Sequence, residues 1–343
     1  MRYAVGVPAL TDKQIFRLTR DLIDIESISG HEGECGKFLL RTLKELGFRA
    51  EKMHVEGGRF NVYARIGKPK LVFSTHIDTV PPFIPSSEDS RKLYGRGSCD
   101  AKGIIAAMVA AAVRLVHEGQ DIGLLFLVGE ERDSHGAKVA DRNAPTPPPL
   151  FLINGEPTEN AVATASKGAL RVEVTAHGKM AHSAYPFLGD SAIDKLLHAL
   201  ERIRRIKLPI HREFGPTTMN IGVIEGGRAP NVIPDFAKAQ LLYRLIGPPE
   251  KLIAEIKAAA GDLAKVDAVL HVPFVKLRAF PDLPEVVAAF TTDIPALSHW
   301  GEPILFGPGS IHAAHTTGEF IEKKQLLAAV DVYCAMAKQL LAE

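Results

Sequence analysis

Cysteine is scarce in this 343-residue chain: there are three, Cys35, Cys99 and Cys334, odd in number, scattered, and forming no CxxC pair. That excludes a disulfide framework and reads as a protein of the reducing cytoplasm. Long apolar runs are missing too. The longest, Ile104 to Val116, falls short of the roughly 18–20 residues a membrane helix needs and carries Arg114. The opening MRYAVGVPALTDKQ has no continuous apolar stretch of the signal-peptide kind. Excess charge of either sign is absent: 41 basic residues stand against 40 acidic ones, net +1. No bulk field therefore favours nucleic acid or an anionic membrane, and a small-molecule partner is the simpler expectation. Gly95 and Gly97 begin a GxG, but Asp100 stands where a dinucleotide loop has its third glycine; neither GxxxxGK[ST] nor GxSxG occurs. Phosphate-loop and serine-hydrolase chemistry, Ser183 beside His182 included, are set aside on that basis. There is no internal repeat, and the only biased tract is a short Pro-rich linker at 145–149.

What is present is an ordinary globular composition, 46% apolar and 24% charged, in a chain longer than the roughly 250–300 residues one core usually serves. Two structural units are expected. Helical periodicity runs over Thr11 to Ile25, with Thr11 as N-cap, and over Glu34 to Leu46, closed by Gly47. Strand-like runs follow at 71–77, 123–129 and 150–154, with an Ala-rich helix at about Lys102 to His117 between the first two. This order predicts an α/β domain on a mostly parallel buried sheet. From about 166 the pattern changes: strand Ala169 to Ala176, helix Ser191 to Arg205, strands Met219 to Ile224 and Phe236 to Leu245, helix Pro249 to Ala260, strand Ala268 to Val272. A β-α-β-β-α-β order is the ferredoxin-like unit, with an antiparallel sheet and helices on one face. It is expected as an insertion at 166–275 into an α/β domain made of 1–165 and 276–343, which resumes with a strand at Ile304 to Phe306 and a helix from Glu322 to Leu341.

The polar residues sit where chemistry is expected. His76 and Asp78 end LVFSTHIDTV, Asp100 ends GRGSCD, Glu130 and Glu131 end GLLFLVGEE, Glu156 ends PLFLINGEP, and His315 lies in GPGSIHAAHTTGEF. In an open α/β sheet the C-terminal strand ends are where ligands bind, and strands ~4.8 Å apart let such side chains converge. Converging carboxylates repel one another unless cations lie among them, and a mixed His and carboxylate set suits zinc, cobalt or manganese better than calcium or magnesium. His312, three residues from His315, is an alternative ligand; the nine histidines outside these segments and His182 read as surface or packing.

At these residues the chain resembles the co-catalytic zinc exopeptidase and deacylase family that includes acetylornithine deacetylase, succinyl-diaminopimelate desuccinylase, aminoacylases and carboxypeptidase G. The likeness runs in order through THIDTVP, YGRGSCDAKG, VGEE, GEP, GKMAHSAYP, GGRAPNVIP and GPGSIHAAH. The resemblance implies two divalent metal ions per chain, zinc first with cobalt or manganese as substitutes. His76 and Glu156 would be terminal ligands of one ion, Glu131 and His315 those of the other, with Asp100 bridging. Asp78 would hold the His76 imidazole, and Glu130 would be the general base, pointing away from Glu131 if both are in strand geometry. His182, in the inserted domain, would stabilise the oxyanion from a partner subunit, making the protein a homodimer through that domain; Asn231 and Arg244 would contact the substrate, Arg244 through a carboxylate. Where the family often has Met after the bridging Asp, this chain has Ala101, and a cis peptide is expected at Asp100–Ala101.

The chain is shorter than many of these relatives and in that respect resembles the compact deacetylases and carrier-protein lysine hydrolases. The function expected is therefore amide hydrolysis of a small N-acyl-amino acid, acetylornithine-like or acetyl-lysine-like. Three readings stay open beside it: a di- or aminopeptidase, a hydrolase releasing an amino acid from a carrier protein, and an inactive relative that binds metabolites.

Overall fold

A computed structural model describes residues 9–343; the first eight, on which part of the signal-peptide reading falls, lie outside the described residues. The chain forms two compact units: the described part of Met1–Thr164 with Leu277–Val286 and Thr292–Glu343, and Ala165–Lys276 with Val287–Thr291. The sequence pattern has the chain leave the second unit once, near 275. The structure brings it back for five residues, because Lys167 N–H donates to the Ala288 carbonyl and the Ser166 hydroxyl donates to that of Phe290.

In the first unit, helices α1 (Asp12–Ile23) and α2 (Gly33–Glu45) precede strands β1 (Arg49–Glu56), β2 (Arg59–Arg65) and β3 (Leu71–His76). Thr11 caps α1 in a reciprocal capping box with Gln14, as its position before the apolar periodicity suggests. Helix α3 (Lys102–His117), strand β4 (Ile122–Leu127), helix α4 (His135–Arg142) and strands β5 (Phe151–Asn154) and β6 (Val162–Ser166) follow. The second unit supplies β7 (Gly168–His177), α5 (Ala192–Arg204), β8 (Thr218–Gly226), β9 (Phe236–Leu245), α6 (Glu250–Ala260) and β10 (Lys265–Val272). The first unit then closes with β11 (Glu302–Phe306) and α7 (Lys323–Leu341).

The large sheet runs β1-β2-β4-β3-β5-β11-β6. Its centre, β4-β3-β5-β11, is parallel, and antiparallel strands flank it on both sides. Continuous apolar runs such as LVFSTH and IGLLFL are buried along their whole length, as strands covered on both faces must be. The small side chains of α3 let it lie buried from Lys102 to Val113, and α7 joins it in the same core. There the Tyr333 hydroxyl donates to the Phe306 carbonyl at 2.9 Å and its ring meets Phe73 edge-on, centroids 5.4 Å apart.

The β1–β2 hairpin is absent from the sequence reading. Its signal is Gly57-Gly58, both at positive φ, which glycine adopts without steric cost and which the two-residue turn requires. The strand RAEKMHVE hides its alternation because it is an edge strand with five charged or His side chains, mostly exposed.

In the second unit the sheet order is β8-β9-β7-β10, all antiparallel, the arrangement of a ferredoxin-like fold. Alternate residues Leu170, Val172 and Val174 of β7 and Leu241 and Tyr243 of β9 form one core with Leu196 and Leu200 of α5 and Ile256 of α6. The intervening positions of β9, from Lys238 to Arg244, are half-buried and mostly polar.

Phe73→Ala should test the first core directly. Removing a fully buried ring against Tyr333 is expected to cost about 3–5 kcal/mol, read as a lowered chemical-denaturation midpoint with unchanged slope.

Candidate metal centre

Register sets the site. In the parallel centre His76 lies opposite Leu127, Ser74 opposite Asn154, and Asn154 opposite Leu305, so the strands end together and the loops after them share one edge. His76 is the last residue of β3; Glu130 and Glu131 lie just beyond β4, Glu156 just beyond β5, and His315 in the segment after β11.

Two donor sets meet there. His76, Asp100 and Glu156 offer one donor atom each, all within 4.8 Å of one another, and so do Asp100, Glu131 and His315. Asp100 belongs to both: its Oδ1 lies 3.0 Å from His76 Nε2 and its Oδ2 3.3 Å from His315 Nε2. His315 Nε2 is also 2.9 Å from Glu131 Oε1. His315, not His312, is the histidine in this set. It holds a left-handed backbone conformation, φ 62°, which an L residue with a side chain adopts only at a cost. The Asp100–Ala101 peptide is cis, as expected.

Asp78 is placed differently from expectation. The imidazole contact runs through its main chain: His76 Nδ1 donates to the Asp78 carbonyl at 2.9 Å, whereas Asp78 Oδ1 is 3.6 Å away. The strand ends at His76, so the Asp78 side chain is free of the pleat and turns to the next loop. Its Oδ1 accepts the N–H of Gly129 (2.9 Å) and Glu130 (3.1 Å), and its Oδ2 accepts Glu131 N–H (3.2 Å) and the Ser29 hydroxyl (2.6 Å). Glu130 and Glu131 therefore occupy a turn held by the Asp78 carboxylate, and strand alternation does not set their directions. Asn61 secures the same turn at its base, accepting Val128 N–H at 3.1 Å and donating to the Gly136 carbonyl at 2.8 Å.

Asp293, which the sequence reading passed over, is also buried, and neither of its carboxylate oxygens has a hydrogen-bond partner. A single acid in TTDIPAL, outside any strand end, carries no local signal of its place.

The electrostatics follow from crowding. Burial outweighs all else for Glu130 and Glu156, pushing both carboxyls well above their ordinary range, with Glu156 adding to the rise of Glu130. Burial likewise pushes Asp293 up to about 7. Burial opposes charge on His76, yet its hydrogen bonds to Asp100 and Asp78 hold it well above its ordinary value. Hydrogen bonds to Asp100 and Glu131 push His315 up to about 10. Asp100, its burial outweighed by His315 and His76, is held far below the usual carboxylate range. The protein alone thus balances its carboxylates with protons on the two histidines. Divalent cations fit the same place: the donors are imidazole nitrogens and carboxylates, Asp100 offers one oxygen to each set, and the buried Oε1 of Glu156 has no partner.

The three candidates from the second unit lie within it as follows. His182 and Asn231 are exposed and adjacent: His182 pairs with Val232, and Ser183 N–H donates to the Asn231 carbonyl at 3.0 Å. Arg244 is half-buried near the end of β9, and among the described residues its guanidinium makes no hydrogen bond or ion pair.

Comparisons with known proteins agree on one kind of molecule. A family model described as the peptidase dimerisation domain matches residues 164–268. A peptidase M20 domain-containing protein of Schizosaccharomyces pombe is 39% identical over 341 residues, covering 94% of this chain and 84% of its own length. A protein of Aspergillus clavatus named probable carboxypeptidase is 38% identical over 360 residues, covering 92% of this chain and 80% of its own. Among solved structures, aminopeptidase PepT from Bacillus cereus superposes with a TM-score of 0.80 at 22% identity, over 97% of this chain and all of that one, and so shares the fold.

A pH dependence follows from the histidines. With His315 at about 10 and His76 raised well above its ordinary value, both are protonated near neutrality, and a cation must displace those protons. Affinity for Co²⁺ should therefore rise from about pH 6 to 8, with proton release detected by calorimetry in buffers of different ionisation enthalpy. A pH-independent affinity without proton release would contradict this charge assignment.

Proposed function

This chain belongs to the M20 peptidase family, and on that footing we propose that it hydrolyses the amide bond of a small N-acyl-amino acid, with His76, Asp100, Glu131, Glu156 and His315 holding two divalent cations. The observation that carries the reading is the sharing of Asp100 between two three-residue donor sets at the sheet edge.

When bound, the two ions would supply Lewis acidity, making a water more acidic and polarising the substrate carbonyl. The rest is the work of side chains. Glu130, half-buried beside the donor sets, accepts as a carboxylate a proton from the attacking water and returns it to the leaving amine. Asp78 and Asn61 keep Glu130 from drifting by holding the main chain on either side of it. His76 is oriented by the Asp78 carbonyl, which fixes Nδ1 as donor and leaves Nε2 to face the donor set. Arg244 serves the substrate carboxylate; its guanidinium, drawn partly out of water with no acceptor among the described residues, suits that task. His182 and Asn231, on paired segments of the inserted unit, take the oxyanion and substrate contacts, with His182 supplied by the second subunit of a homodimer. The catalytic and the lid or dimerisation roles fall to 1–165 with 276–343 and to 166–275 respectively. Among the described residues no helix is long and apolar enough to cross a membrane, and all three cysteines are free and buried, which supports a reducing, cytoplasmic setting.

Peptide hydrolysis is the second reading, favoured by the name carboxypeptidase given to the Aspergillus relative. It uses the same water, base and carboxylate grip. A liberated-amine screen of protein reconstituted with zinc or cobalt separates the two. Release from N-acetyl-amino acids and not from dipeptides supports deacylation; the reverse selects the peptidase. Two bound metals with no turnover on any amide would leave a metabolite-binding protein.

Glu130→Gln should keep metal content near that of the wild type and lower kcat by about 10³-fold, measured at saturating substrate. An unchanged kcat removes Glu130 from its role.

A further inference from the structure

A buried ion pair that this mechanism does not use lies directly behind the shared carboxylate. Glu319 is 1% exposed; its Oε1 accepts the main-chain N–H of Cys99 and of Asp100, each at 3.2 Å, and its Oε2 takes Nη1 of Arg96 at 2.7 Å. Arg96, 2% exposed, also donates from Nη1 to the Thr316 carbonyl at 3.1 Å and from Nε to the Pro82 carbonyl at 3.3 Å. The Glu319 carbonyl in turn accepts Gly95 N–H at 3.1 Å. The pair is brought together by short strands, Lys92–Tyr94 against Phe320–Glu322 with Tyr94 opposite Phe320, so Arg96 and Glu319 leave one ribbon side by side.

Two loops are joined by these contacts: the one that presents Asp100 and the one that presents His315, whose neighbour is Thr316. A fully buried ion pair is a poor source of net stability, because desolving both charges offsets most of their attraction. Its hydrogen bonds go to the main chain at the two points whose separation decides whether Asp100 and His315 can share one cation. The two donor sets do not depend on it equally. His76 ends β3 and Glu156 lies just beyond β5, and these strands are hydrogen-bonded neighbours in the sheet, so their spacing is set by strand pairing. His315 lies outside any strand and has only its segment to place it.

We propose that Arg96 and Glu319 are positioning residues that fix the distance between Asp100 and His315, and so tune the affinity of the Asp100–Glu131–His315 position for its ion. This rests on the reading of two bound cations given above. Glu319→Gln keeps size and one main-chain acceptor but removes the charge that holds Arg96. Co²⁺ titration of the metal-free protein, by calorimetry and visible absorption, is expected to show one ion bound as in the wild type and the other weakened about tenfold or more, with altered bands. The circular dichroism of the metal-free variant should stay native. If Glu319→Gln does not fold, Arg96→Lys, which keeps a cation against Glu319 and loses the reach to Thr316, should give the same selective weakening. Wild-type affinity and bands for both ions, or weakening of both in step with a fall in the metal-free Tm, would overturn the proposal. A wild-type protein that takes up fewer than two ions refutes the two-cation reading itself, and does so without reference to either variant.

Discussion

Like charges brought together out of water cannot stay charged without positive partners, and that constraint governs the edge of the large sheet. The parallel register places Glu130, Glu131 and Glu156 within one neighbourhood, the turn before α3 brings Asp100 into it, and Asp293 is buried beside them. In the protein alone the balance is struck by protons: the histidines are held positive, while the most enclosed carboxyls drift towards neutrality. A pair of divalent cations answers the same demand more fully, since each brings charge into the cluster without consuming a hydrogen-bond donor. The site is therefore better described as a deficit of positive charge than as a set of ligands, and its shape is the shape of that deficit.

The loops that carry these groups are held by a recurring device. Asp78 takes three consecutive N–H groups of the Glu130 turn, Asn61 spans the base of the same turn, and Glu319 takes two N–H groups at Asp100. In the first two cases a buried side chain stands in for the strand partner that the main chain has just lost, and in the third it takes amides of the turn that leads into α3. Regular structure ends where chemistry begins, and the orphaned amides would be costly to bury without such substitutes. The precision of the centre thus depends on acids and amides that touch no substrate.

How much of this was legible in the sequence depends on range. Strand runs ending in His76, Glu131 and Glu156 were readable because continuous apolar stretches broken by one polar residue are local signals, and α3 because its Ala-rich pattern is unbroken. The ferredoxin-like unit was readable from alternation, as β7 and β9 show. The β1–β2 hairpin was not, since its outer strand is charged and exposed, although Gly57-Gly58 announced the turn. The hold of the Asp78 carboxylate on the Glu130 turn was not legible for a different reason. Its partners lie some fifty residues away in a turn, and proximity in sequence favoured the neighbouring His76. Arg96 and Glu319, more than two hundred residues apart, and the solitary Asp293 leave no pattern at all.

The short return of Val287–Thr291 to the second unit changes how the chain can be assembled. The polypeptide passes between the units at 164/165, 276/277, 286/287 and 291/292 instead of entering and leaving once. Meanwhile β11 must insert between β5 and β6 before the large sheet is whole. On the ribosome, neither unit can be completed until most of the chain has been synthesised, so the nascent protein carries two unfinished bodies at once. A second unit swapped in from a relative would likewise need four splices, two for each of its segments, and a transplant of one uninterrupted segment would leave a strand-edge bond unanswered.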